Sequence, residues 1–147
     1  MFERRFLYRV LFGSLLLLAA ADVCAQTDVR QKLMKDNGAA LKAIKAAAVT
    51  RDYATIETKT KEIMQNGDKV LALFRSGRGA EKTKAKPEIW EKWDDFSKNP
   101  GNVKKAAREL ADAAKARDDG SIRVKVKNLS DACAACHTTF RAEKYSQ

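Results

Sequence analysis

The chain has 147 residues, 29 of them Lys or Arg against 19 Asp or Glu, for a formal net charge of +10. That length suits one domain. It carries a single histidine, and we find no acid/base pair, nucleophile–base pair or phosphate loop, so the chain holds no catalytic machinery of its own and is read as a non-enzyme. The surplus of cations suits acidic protein partners or an anionic membrane surface, and no nucleic-acid motif accompanies it.

The first residues read as a targeting segment. Arg4, Arg5 and Arg9 form a basic start, and Val10 to Ala21 is mostly Leu, Val and Ala. That run is too short to span a bilayer. Val23-Cys24-Ala25 is an acceptable small-residue cleavage site, so residues 1–25 are read as a cleaved secretory signal peptide. Asp22-Val23 makes a poor lipobox, so Cys24 is read as discarded. The mature domain is then 26–147, exported to a bacterial periplasm with no stable membrane span after cleavage.

Four helices follow from the periodicity. The first is expected from about Asp28 to Val49, capped by Thr27 or Asp28, with Leu33, Ala40, Ile44 and Ala47 inward. The second runs from about Asp52 to Arg75. Ile56, Thr60, Ile63, Gly67, Val70 and Phe74 form its seam, and Ser76-Gly77 ends it. Next comes a long connection, 76–100, basic and Gly-containing up to Lys86. Ile89, Trp90, Trp93 and Phe96 then suggest a short helix laying aromatics on the bundle, either as a lid over a bound group or as core packing. The third helix is expected from about Gly101 to Asp118, with Val103, Ala107, Leu110 and Ala114 inward. Asp119-Gly120 would stop it, and Ser121 would cap the next. In the fourth, Ile122, Val126, Leu129, Cys133, Cys136 and Phe140 share the seam. Heptad-like helices joined by short turns predict an all-α antiparallel four-helix bundle.

Cys133-Ala134-Ala135-Cys136-His137 is a C-x-x-C-H motif, the attachment sequence of a c-type haem. The thiols at i and i+3 and the imidazole at i+4 share one helix face. Two thioethers and an axial His137–iron bond can therefore hold one macrocycle, a single covalent haem c. Three rivals remain at this point. A thioredoxin-like thiol pair wants a βαβ context, and no convincing strand is present. A zinc site wants four ligands, and the mature chain offers three. A plain disulfide between the two cysteines is the third.

Cys133 to Arg141, read as C-x-x-C-H-x-x-F-R on the last helix, resembles the ending of the cytochrome c′ family, the class II c-type cytochromes. Ala85-Lys86-Pro87-Glu88-Ile89-Trp90 with Phe96 is similar to that family's crossover, and Arg30-Gln31-Lys32-Leu33-Met34 to the start of its first helix. The resemblance implies Arg30 near a haem propionate, Arg141 near the proximal face and Met34 at the distal position, as sixth iron ligand in the low-spin His/Met branch. Met64 reads as core packing. A His/Met pair suits a one-electron carrier exchanging electrons with redox partner proteins of acidic surface. The alternative implied by the family is a five-coordinate haem that binds nitric oxide or carbon monoxide. The resemblance also allows a homodimer through the first two helices.

Overall fold

The computed structural model describes residues 3–75 and 83–143, and side chains from Thr27 onward. It contains α1 (Glu3–Thr50), α2 (Tyr53–Phe74), the short α3 (Glu88–Glu91), α4 (Trp93–Lys115) and α5 (Asp119–Phe140). α1, α2, α4 and α5 form a four-helix bundle with a crossover between α2 and α4. Neighbours pack in the cyclic order α1–α2–α4–α5, and the ring closes only weakly, since α1 and α5 touch least.

Most seam positions read from the sequence are buried, while Val103, Val126, Cys133 and Cys136 are half-buried. All six seam positions of α2 are buried. So are Leu33, Ala40, Ile44 and Ala47 of α1, and Ala107, Leu110 and Ala114 of α4. They divide into two cores. One gathers Ile44, Ile56, Ile63, Leu110, Ile122 and Leu129. The other, towards the crossover end, gathers Leu33, Val70, Phe74, Ile89, Phe96 and Phe140. Gly67 stands where α2 meets α4, and a Cβ there would lie 3.0 Å from Lys104 Cγ, so that side chain would have to give way by a few tenths of an ångström.

Both short turns use one device. Arg51 and Arg117 adopt left-handed φ values of 58° and 52°. The amide of the next residue then reaches back to the fifth carbonyl before it: Asp52 to Ala47 at 2.9 Å and Asp118 to Ala113 at 3.0 Å. This is the Schellman ending, with Arg where Gly is commonest. The same Asp caps the following helix, accepting from the Thr55 amide in one turn and the Ser121 amide in the other, each at 3.0 Å. The Thr55 and Ser121 hydroxyls, each donating to the same carboxyl at 2.6 Å, and then those amides hold both carboxyls below their usual range.

Several expected boundaries are corrected. In the full-length chain α1 runs unbroken from Glu3, so Thr27 and Asp28 lie inside it there; the Leu- and Ala-rich run before them has high helix propensity. Asp118, not Ser121, caps the last helix, because Asp118 is the residue left outside the helical dihedrals by the turn. The end of α2 at Ser76-Gly77 lies outside the described residues. The third bundle helix starts at Trp93, not Gly101, and runs through Pro100. Pro100 has no N–H for the Phe96 carbonyl. The Asn99 side chain makes good the loss, donating to Phe96 O at 3.1 Å and Asp95 O at 2.8 Å. Asn99→Ala should therefore lower stability by about 1 kcal/mol, seen as a lower melting temperature with unchanged helix content.

The connection's aromatics pack on the core. Ile89 is buried in α3, Trp90 and Trp93 are half-buried, and Phe96 is buried in the first turn of α4. The stretch splits into two helices because Lys92 leaves helical dihedrals, at φ −119° and ψ 47°.

Candidate haem-binding site

α5 positions the motif. The helix persists from Asp119 to Phe140, so Cys133, Cys136 and His137 share one face over little more than a turn. Cys133 packs against the first core and Cys136 against the second. Both thiols are free and half-buried. Burial pushes the Cys133 thiol up, opposed by the nearby Lys45 charge. Burial, with Cys133 beside it, pushes Cys136 up to about 11. His137 is open to solvent at its edge, yet the packing around it lowers its pKa, and the Arg141 charge lowers it further. Both effects favour the neutral imidazole, the form that ligates a metal.

The end of α5 is strapped to the crossover. Ala85 and Arg141 form an isolated antiparallel bridge. The Lys86 amide donates to Phe140 O at 3.0 Å and the Ala142 amide to Lys84 O at 2.8 Å. Lys86 Nζ reaches Thr139 O at 3.2 Å. These bonds fix the segment just after His137.

Met34 lies on α1, half-buried against the core that also receives Cys136. Met64 packs against the other core, as read. Arg30, one turn before Met34, is only 2 % exposed. Its Nε donates to the Leu73 carbonyl at 2.6 Å, and its guanidinium lies 5.0 Å from the Phe74 ring centroid. Arg141 is exposed at the end of α5, beside His137. The structure thus brings Met34 and Cys136 to one core, with Arg30 and Arg141 both towards the crossover end.

Two contacts were not legible beforehand. Trp90 Nε1 donates to the Phe74 carbonyl at 2.7 Å, so Trp90 and Arg30 together satisfy carbonyls in the last turn of α2. Phe74, Phe96 and Phe140 also form a ring ladder, with centroids 5.4 Å and 5.3 Å apart. The spacing of Phe96 and Phe140 on their own seams marked each as inward, but not as partners.

These residues fit a haem c. Two free thiols and a neutral imidazole line one helix face, flanked by two apolar cores, on the helix that closes least tightly against α1. Among the described residues, no three His, Cys, Asp or Glu side chains converge to hold a metal ion directly, which leaves the zinc reading without a ligand set. At the other end of the α1–α5 seam a cleft of about 360 Å³ is rimmed by Lys45, Arg51 and Arg123.

The family model described as Cytochrome C′ matches residues 25–141. The chain belongs to the cytochrome c′ family. A cytochrome c′ of Rhodospirillum rubrum is 30 % identical over 129 residues, covering 84 % of this chain and 86 % of the relative. A cytochrome c-556 of Rhodopseudomonas palustris is 29 % identical over 145 residues, covering 90 % and 95 %. The crystal structure of the Thermochromatium tepidum cytochrome c′ superposes with a TM-score of 0.71 at 26 % identity, over 81 % of this chain and 95 % of that one. Covalent haem c is the cofactor of this family, so the motif on α5 is an attachment sequence rather than a redox thiol pair.

Proposed function

We propose that this protein is an exported monohaem cytochrome that carries single electrons between partner proteins and catalyses no reaction itself. The observation that carries this reading is the placement of Met34 on the same core as Cys136. When bound, the haem supplies a one-electron store. Cys133 and Cys136 anchor it, His137 presents a neutral imidazole, and Met34 offers a soft thioether from α1, a pairing that favours electron transfer. By the family resemblance Arg30 would pair with a propionate and Arg141 would stand near the proximal face. Both apolar cores would pack against the macrocycle.

The periplasm is the proposed compartment, with residues 1–25 removed; no described helix is long and apolar enough to cross a membrane. The net charge of +9 that is left once residues 1–25 are removed supports redox partners with acidic surfaces. A homodimer through the first two helices follows the family resemblance, and Val29 and Val49 leave apolar surface exposed on α1.

A haem-stained denaturing gel, followed by a redox titration, tests the reading. We expect stain that stays with the polypeptide and a one-electron titration curve. A colourless band would remove the cytochrome reading. Stained protein that turns over a substrate would remove the carrier.

A further inference from the structure

We propose that Arg30 is a positioning residue whose bond to the end of α2 sets the distance of Met34 from the haem side of the bundle. The inference rests on Met34 being the sixth ligand.

α1 and α5 carry the two sides of the site but pack weakly on each other. Direct contact therefore does little to space them. The spacing runs the long way round the bundle, through α2 and α4, whose mutual contacts and contacts with α1 and α5 are the extensive ones. At the level of the site that route is visible in side chains. Arg30 joins α1 to α2 by its 2.6 Å bond to Leu73 O and its stacking on Phe74. Phe74 leans on Phe96 of α4, and Phe96 meets Phe140 of α5 edge-on. Phe140 stands three residues after His137, on the same helix face.

Arg30 is the end of this relay on the Met34 side. It lies one turn before Met34, about 6 Å along the axis. One turn beyond Met34, Asn37 Oδ1 accepts from Asn66 Nδ2 of α2 at 2.9 Å. Met34 thus sits between two polar pins that tie α1 to α2. The Arg30 pin is the stronger, being a charge-assisted bond in a buried setting. Without it the turn before Met34 loses this tie to the end of α2 and is held there by apolar packing alone, which lets the thioether drift.

The test compares wild type, Arg30→Met, Arg30→Lys and Met34→Ala in the haem-loaded protein. The readouts are the methionine–iron charge-transfer band of the oxidised form, the rate of carbon monoxide binding to the reduced form, and the thermal melt. Carbon monoxide reports the fraction of molecules with the thioether displaced. Arg30→Met should weaken the band and speed carbon monoxide binding about tenfold, the equivalent of one such bond. Arg30→Lys keeps the charge and a donor but loses the flat stacking, so it should lie between, at about threefold. If Arg30→Met does not fold, the lysine variant decides. A full band and wild-type rate in the folded Arg30→Met protein, or in Arg30→Lys when that variant decides, overturn the proposal. A wild type that lacks the band and behaves as Met34→Ala fails differently: it removes the ligand assignment, and this inference with it.

Discussion

Met34→Ala should convert the protein from a closed, six-coordinate cytochrome into an open one. Met34 is half-buried against the core that receives Cys136, so its removal deletes a ligand and opens a space at the same point. The charge-transfer band should vanish and the iron become high-spin. The reduction potential should fall by on the order of 100 mV, because the thioether favours the reduced iron. Carbon monoxide should bind about a hundredfold faster, which corresponds to about 3 kcal/mol of ligand competition removed. The fold should survive, since the side chain is only partly enclosed and its truncation costs about 1–2 kcal/mol, below the range for full burial. Optical spectroscopy, potentiometry and stopped flow read these effects. A low-spin spectrum in the variant would transfer the sixth position to another residue.

The second large effect is on stability. Cys133→Ala/Cys136→Ala removes the attachment and with it the haem. Many core positions hold small side chains: Ala40, Ala47, Ala107, Ala111, Ala113 and Ala114 are all buried. Alanine buries little area, and the α1–α5 side closes weakly without a filler. A macrocycle between the two cores contributes on the order of 5 kcal/mol of apolar burial. Against a typical domain stability of about 5–15 kcal/mol, that loss is large. The haem-free variant should melt at least about 15 °C lower, with a broadened transition. Circular dichroism checks it, and native thermal stability would contradict the role assigned to the haem in packing.

The seams of α2 and α5 were legible because their apolar residues step by four and three with few interruptions. The motif was legible because two thiols and the one imidazole fall on a single face. The start of α4 was not, since Pro100 reads as a break and its repair depends on the side chain of Asn99, one position earlier. Nor was the contact of Arg30 with α2: the resemblance implies a propionate as its partner, and only the approach of the α2 terminus supplies the Leu73 carbonyl. The Schellman turns were also hidden, because Arg51 and Arg117 occupy positions where the glycine signal is normally sought. Periodicity reports which face turns inward. It does not report which buried residues meet across the bundle, and the ladder from Phe74 to Phe140 is of that kind.

In the proposed carrier, a haem on α5 has its iron held between His137 and Met34. The absorption spectrum of the wild-type protein, oxidised and reduced, with and without carbon monoxide, tests this most directly. A low-spin spectrum with a methionine–iron charge-transfer band and slow carbon monoxide binding is expected. A high-spin spectrum with rapid carbon monoxide binding would remove Met34 from the iron.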